Sequence, residues 1–255
     1  MNNTLIDNSD RLKLVETLKE LISNPKCNHL QIATGYWDIP GISLLYDELK
    51  SFFERGGKLQ LLIGKEPQLR TYQLRPLSEH EEKFPDFYIK RDVDRLTDVY
   101  KPSVQLLLDY VDAENEDNSQ IRIHVYGQDG NQEQFLHAKC YIAYYEDTNG
   151  NPTEAYGIIG SSNFTEKGLL DNAELNYLET SQPVVASITP MGNTKTHRLW
   201  FSEMWEKSIL WTGRFIQDIL KPSPIGTKII DEISLEQPQE LMSRDEYENF
   251  NVEEF

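Results

Sequence analysis

Cysteine is nearly absent: Cys27 and Cys140 are the only two in 255 residues, and they lie in no CxxC or Cys/His cluster. That excludes a disulfide framework and argues against a zinc site, so both thiols are expected to be reduced and structural. No stretch approaches the roughly 18 apolar residues that a membrane span requires. The opening residues, Met1-Asn-Asn-Thr-Leu-Ile-Asp7, hold neither a basic nor an apolar leader segment, and a cytoplasmic protein is expected. Internal repeats are absent.

Positive charge is scarce, with 25 Lys and Arg against 42 Asp and Glu, for a net charge of −17. As an average this opposes nucleic-acid binding, because a polyanion needs local Lys and Arg to release its counterions. The distribution softens the objection. Residues 231–255 hold nine acids and one base, so −8 of the −17 lies in the last tenth of the chain. A basic cleft in the remaining body is compatible with these numbers, whereas a broad basic face is not.

The patterning predicts an α/β fold: a mixed, mainly parallel β-sheet flanked by helices on both faces. Leu12, Leu14, Val15, Leu18, Leu21 and Ile22 recur at helical spacing after Ser9-Asp10. A strand over 30–37, a helix from Ile42 closed by Gly56-Gly57, and a strand over 58–64 form a βαβ unit, for which parallel pairing is the default. Residues 65–89 read as a loop or insertion. Residues 91–110 read as a helix broken or kinked at Pro102. Further strands are expected at 121–126, 135–145, 155–159 and 174–178, and a helix rich in aromatics over 194–220. Residues 1–225 are expected to form one domain and 226–255 an acidic tail or linker.

Chemistry concentrates in residues 136–176. His137-Ala-Lys139 on a strand places an imidazole and an ammonium on one face. Gly160-Ser161-Ser162-Asn163 follows a strand and offers hydroxyl and amide donors beside a glycine that admits close backbone approach. Glu174 is an acceptor suited to fixing a histidine tautomer. Together these residues suit metal-free phosphoryl transfer. Tyr36 and Trp37, leaving a strand end, are candidates for stacking on a substrate, and Ser162 for a direct contact. Lys65, Arg70 and Arg75, or Lys90, Arg91 and Arg95, are the basic candidates for backbone contacts. His80-Glu81-Glu82 has no second cluster with which to form a metal site, and His29, His124 and His197 read as structural or exposed.

In this combination the chain resembles the phospholipase D superfamily. Its HxK motif, GSxN motif and downstream acid correspond to His137-Ala-Lys139, Gly160-Ser161-Ser162-Asn163 and Glu174. The run from Gly160 to Asn176 is most similar to the nuclease branch found in some restriction endonucleases and bacterial helicase-like proteins. The similarity spans about residues 10–220, with diagnostic residues confined to 136–176. Tyr144 stands where many members carry an aspartate five residues after the lysine, a departure that weakens a lipase reading more than a nuclease reading.

The resemblance implies catalysis by His137, Lys139, Ser161, Asn163 and Glu174 without cofactor or metal, through a phosphohistidine. Because HxK occurs once, it also implies a homodimer sharing one site at its active-site face. The expected partner is DNA, with a helicase or defence protein as a further partner and no membrane. The alternatives are a non-catalytic dimerising or recruiting module and a lipid phosphodiesterase. The latter finds no basic amphipathic helix or lipidation signal in the sequence.

Overall fold

Ile32, Leu61 and Ile123 lie abreast on three neighbouring parallel strands, and each is fully buried. They mark the centre of the fold in a computed structural model. It describes residues 4–236 apart from 11, 65–85, 113–114, 116–117, 127–135, 181–185 and 189–193. The elements begin with β1 (Thr4–Ile6), α1 (Leu14–Ser23), β2 (His29–Thr34), α2 (Ile39–Ser43), α3 (Tyr46–Glu54), β3 (Lys58–Ile63), α4 (Asp86–Val93), α5 (Lys101–Tyr110) and β4 (Ile121–Tyr126). Next come β5 (Cys140–Glu146), β6 (Pro152–Gly160), α6 (Glu166–Leu170), β7 (Asn176–Glu179), β8 (Ala186–Ile188) and β9 (Thr194–Thr196). The chain continues through α7 (His197–Glu206), β10 (Ser208–Leu210), α8 (Thr212–Arg214), a π-helical segment over Phe215–Leu220 and α9 (Pro224–Glu236).

Eight strands form one open sheet in the order β1-β7-β6-β5-β2-β3-β4-β10, and β8 pairs with β9 apart from it. The expected mixed α/β sheet is present, but parallel pairing does not predominate. Among the described strands of this sheet, only β2-β3 and β3-β4 are parallel neighbours. The other pairings in the large sheet are antiparallel. The reason lies in the connections. β2, β3 and β4 are joined by helical crossovers, whereas β5 and β6 are joined by a tight turn that permits only antiparallel neighbours. In that turn the Asp147 carboxylate accepts the N–H groups of Asn149 and Asn151, and Gly150 adopts a φ of +80°.

The two sheet faces are covered unequally. On one, Leu14, Leu18 and Ile22 of α1, Phe52 and Phe53 of α3, and Val104 and Leu107 of α5 pack on Leu30, Ile32, Leu59 and Leu61. On the other, α7 sets Phe201 and Trp205 over Ala33, Leu62, Ile142 and Tyr144. Burial of each such apolar side chain contributes roughly 1.5–3 kcal/mol. Residues 226–236, expected to open an acidic tail, instead continue the body as α9, with Ile225 and Ile229 buried in the main core. The rest of that expected tail, 237–255, falls outside the described residues.

Several expected elements differ in detail. α1 begins at Leu14, where the distant Asn8 side chain accepts the Leu14 N–H (3.0 Å). Pro102 does not break a helix but sits in the first turn of α5, where a missing N–H leaves no bond unmade. The expected helix over 194–220 is interrupted by β10, which pairs with the β4 edge.

Asp38 joins the end of β2 to two helices. Its Oδ1 accepts Gly41 N at the start of α2 (2.7 Å) and Glu166 N at the start of α6 (3.0 Å). Burial, partly offset by these two bonds, raises its pKa to about 6. The folded chain therefore binds the Asp38 proton more tightly than the unfolded one. Its contribution to stability is full below the ordinary carboxylate range near 4 and is lost as pH rises to about 6, an effect on the order of 3 kcal/mol. Asp38→Asn keeps the caps and removes the titration. We expect urea unfolding of that variant to show a flatter stability profile between pH 4 and 6. Asp38→Ala should lose about 1–2 kcal/mol through the caps. An unchanged profile in Asp38→Asn would refute the assignment.

Candidate active site

The site forms where β2 ends. Thr34 is fully buried, and its hydroxyl donates to Tyr36 O (2.7 Å) while accepting Phe164 N–H (3.0 Å). Tyr36 N donates to Asn163 Oδ1 (3.3 Å), and Asp38 N to Phe164 O (3.2 Å). Residues 34–38 and 163–166 are thereby stitched together although they lie far apart in sequence. α6 then starts under Thr165, whose hydroxyl accepts Gly168 N–H.

The HxK segment enters from the other side. It precedes β5 rather than belonging to it, because the strand begins at Cys140. Gly64, just past β3, permits its approach. A side-chain carbon built there would lie 1.9 Å from Leu136 O, so only glycine fits. His137 is exposed, while Lys139 is buried with its ammonium donating to His137 O (3.0 Å).

These segments meet at Gly35, which has no side chain to separate them. A carbon placed on its Cα would stand 3.2 Å from Lys139 Nζ, 3.3 Å from Asn163 Oδ1 and 3.5 Å from His137 Cδ2. Since Asn163 Oδ1 is engaged by Tyr36 N–H, its Nδ2 donors are what it can offer a ligand. An imidazole, an ammonium, an amide and bare backbone around one point form a seat for a tetrahedral oxyanion.

Ser161 and Glu174 stand together just past the end of β6. The Ser161 hydroxyl donates to the Glu174 carboxylate and accepts Leu175 N–H (3.0 Å). Asn172 Nδ2 donates to the other carboxylate oxygen (3.3 Å). Ser162 is different, and its proposed contact with substrate is corrected. It is fully buried, its Oγ accepts Asn176 Nδ2 (2.9 Å), and its carbonyl accepts the Tyr141 hydroxyl. Burial holds Tyr141 well above the ordinary tyrosine pKa, so the phenol remains a donor. Ser162 is thus a brace beneath the turn.

Trp37 is also corrected as an exposed stacking group. It is 1% exposed and packs edge-on against Phe215. Tyr36 is half-buried, with its hydroxyl bonded to Asp92. Lys65, Arg70, Arg75 and His80-Glu81-Glu82 lie outside the described residues. Lys90 pairs with Asp94 and Arg91 with Asp92, while Arg95 is exposed. Among the described residues no group of three His, Cys, Asp or Glu side chains gathers as a metal site. His29 stacks on Tyr144 and His124 on Trp205, both against the second sheet face.

Tyr144 itself is buried under α7, with the Arg198 guanidinium over its ring. The position where many relatives carry an aspartate is therefore part of the packing between β5 and α7. Both cysteines are buried, which pushes the thiol of Cys27 up to about 11 and that of Cys140 to about 12. Sequence reasoning missed Thr34, Gly35 and Asp38; its one available signal was a glycine closing an apolar strand.

The family model described as cardiolipin synthase, PLD-like domain, matches residues 18–191. The chain belongs to this phospholipase D-like family. Among solved structures, NucT from Helicobacter pylori is 13% identical, covering 82% of this chain and 98% of its own, with a TM-score of 0.41. Nuc from Salmonella typhimurium, a phospholipase D family member, is 11% identical, covering 82% and 97%, with a TM-score of 0.43. Phosphatidylserine synthase from Haemophilus influenzae is 12% identical, covering 91% and 45%, with a TM-score of 0.50, a likeness of fold alone. No curated protein matches the chain.

Gly35→Ala tests the seat. Its methyl would meet three neighbours at ordinary to tight contact distances, so the fold should persist. Binding of inorganic phosphate, measured by calorimetry, should weaken roughly tenfold or more as the anion is displaced from its donors. Unchanged phosphate affinity would place the seat elsewhere.

Proposed function

We propose that this protein is a metal-independent phosphodiesterase acting on DNA as an endonuclease, in restriction, defence or repair. The observation that carries the proposal is the convergence of His137, Lys139 and Asn163 on the bare backbone of Gly35. In the proposed reaction an imidazole nitrogen of His137 attacks phosphorus. A P–N bond forms and a P–O bond breaks, with the leaving oxygen taking a proton from His137 of the partner subunit. Water then gives a proton to the partner's His137 and attacks phosphorus, forming a P–O bond, breaking the P–N bond and releasing the phosphate monoester. Lys139 and Asn163 Nδ2 hold the non-bridging oxygens as preorganised donors. Glu174, whose carboxylate accepts Ser161 and Asn172, is the acid assigned to fixing a histidine tautomer.

A second histidine calls for a second copy, and the surface beside the site supports one. Leu5, Tyr177 and Ile159 are register partners across β1, β7 and β6. All three are about half exposed on the α7 side of the sheet, over strands that α7 does not cover, and exposed Leu175 continues the strip beside Glu174. A symmetric pair joined here would bury that strip and bring its two His137 side chains toward one twofold axis.

Two outcomes are expected. Wild-type cleavage of labelled single- and double-stranded DNA should persist in excess EDTA, and His137→Ala should reduce it by roughly a thousandfold or more. Cleavage surviving in that variant, or abolished by EDTA, would overturn the mechanism. The double variant Ile159→Asp/Tyr177→Asp should sediment as a folded monomer without cleavage activity. A fully active monomer would overturn the shared site.

A further inference from the structure

A cavity of about 290 Å³ opens one residue beyond Gly35. It is lined by Tyr36, Ile39, Val93, Leu96 and Tyr100 among others, with the exposed Arg95 at its margin. That volume lies at the lower end for small-molecule sites. It suits one planar ring system and is too small for a pair of acyl chains. The polar groups are few and fixed. Tyr36 donates to one Asp92 oxygen, and Arg91 pairs with the other. Both backbone bonds to Asp38 fall on Oδ1, leaving Oδ2 without a described partner.

Tyr36 links this cavity to the seat. Its backbone N–H holds Asn163 beside Gly35, while its side chain reaches α4 through Asp92. Seat and cavity are thus joined through a single residue, Tyr36. Aromatic and aliphatic walls favour a flat body, and a carboxylate oxygen offers an acceptor to an N–H on its edge.

We propose that the cavity between the end of β2, α4 and Tyr100 binds the nucleobase adjoining the scissile phosphodiester. This rests on the nuclease reading and sharpens it. A base in this cavity has left its stack, so the strand is unpaired or flipped at the point of cleavage.

The test compares the p-nitrophenyl ester of thymidine 5′-phosphate with methyl p-nitrophenyl phosphate, which presents the same leaving group without a base. For the wild-type protein, kcat/KM for the nucleoside ester should exceed that for the methyl ester by tenfold or more. The ratio should collapse toward unity in Leu96→Trp, which fills the cavity, and in Tyr100→Ala, which removes a wall. Tyr100→Phe should restore it, and circular dichroism identifies any variant that fails to fold. Calorimetry with thymidine 5′-phosphate against inorganic phosphate makes the same comparison without turnover. A wild-type ratio near unity, or a ratio retained in both cavity variants, overturns the subsite. Preference for the nucleoside ester without cleavage of any DNA would leave the subsite standing and defeat the endonuclease reading.

Discussion

The buried hydroxyl of Thr34 is the joint on which the site depends. It accepts from Phe164 and donates to Tyr36, and so locks the exit of β2 against the segment that follows the GSSN turn. A hydroxyl buried this deeply is stable only with its bonds made, which is why the two chain segments adopt one relative position. Tyr36 N–H on Asn163 and Asp38 N–H on Phe164 continue the seam. Asp38 then carries it to the first N–H groups of α2 and α6. Asn163 Oδ1 is held in place by the Tyr36 N–H and the Thr34 hydroxyl.

That seam also explains what the sequence disclosed and what it hid. The buried strands 29–34, 58–63 and 121–126 were legible because their apolar runs are long and bounded by turns. The HxK and GSSN residues were legible because they are chemically unusual together. Thr34 and Asp38 are individually commonplace, and their roles arise from partners about 130 residues away. β1 and β10, three residues each, are too short to show a period and exist by pairing with β7 and β4. Pro102 was misread because its effect depends on its place in the helix, and a first-turn position reverses the inference.

Ser162 and Tyr144 show the limit of reading roles from motif positions. Both lie within or near the diagnostic stretch, yet Ser162 bonds inward to Asn176 and Tyr144 packs between His29 and Arg198. Alternation decides this. Tyr141 faces the main core, while Cys140, Ile142 and Tyr144 face α7. A side chain at 144 is therefore directed into packing that α7 already fills. An aspartate there would be buried beside a tyrosine-sized gap, so the aromatic residue is the better fit to this particular helix.

The overall charge places a further constraint on how a phosphodiester could reach the site. With a net charge of −17, the field of the whole molecule repels a polyanion at long range. Near the described α4, acids already neutralise Lys90 and Arg91, which removes two bases from any extended phosphate track. Affinity must then come from the few groups that act within a Debye length, about 8 Å at physiological ionic strength. Lys139 is one such group, and burial of its ammonium reduces the screening that an exposed lysine would suffer. Under the proposed function, a site organised in this way would engage one phosphate strongly and a long backbone weakly. Contacts that carry little charge, such as a base against aromatic and aliphatic walls, then assume a larger share of recognition than they would on a basic nuclease surface.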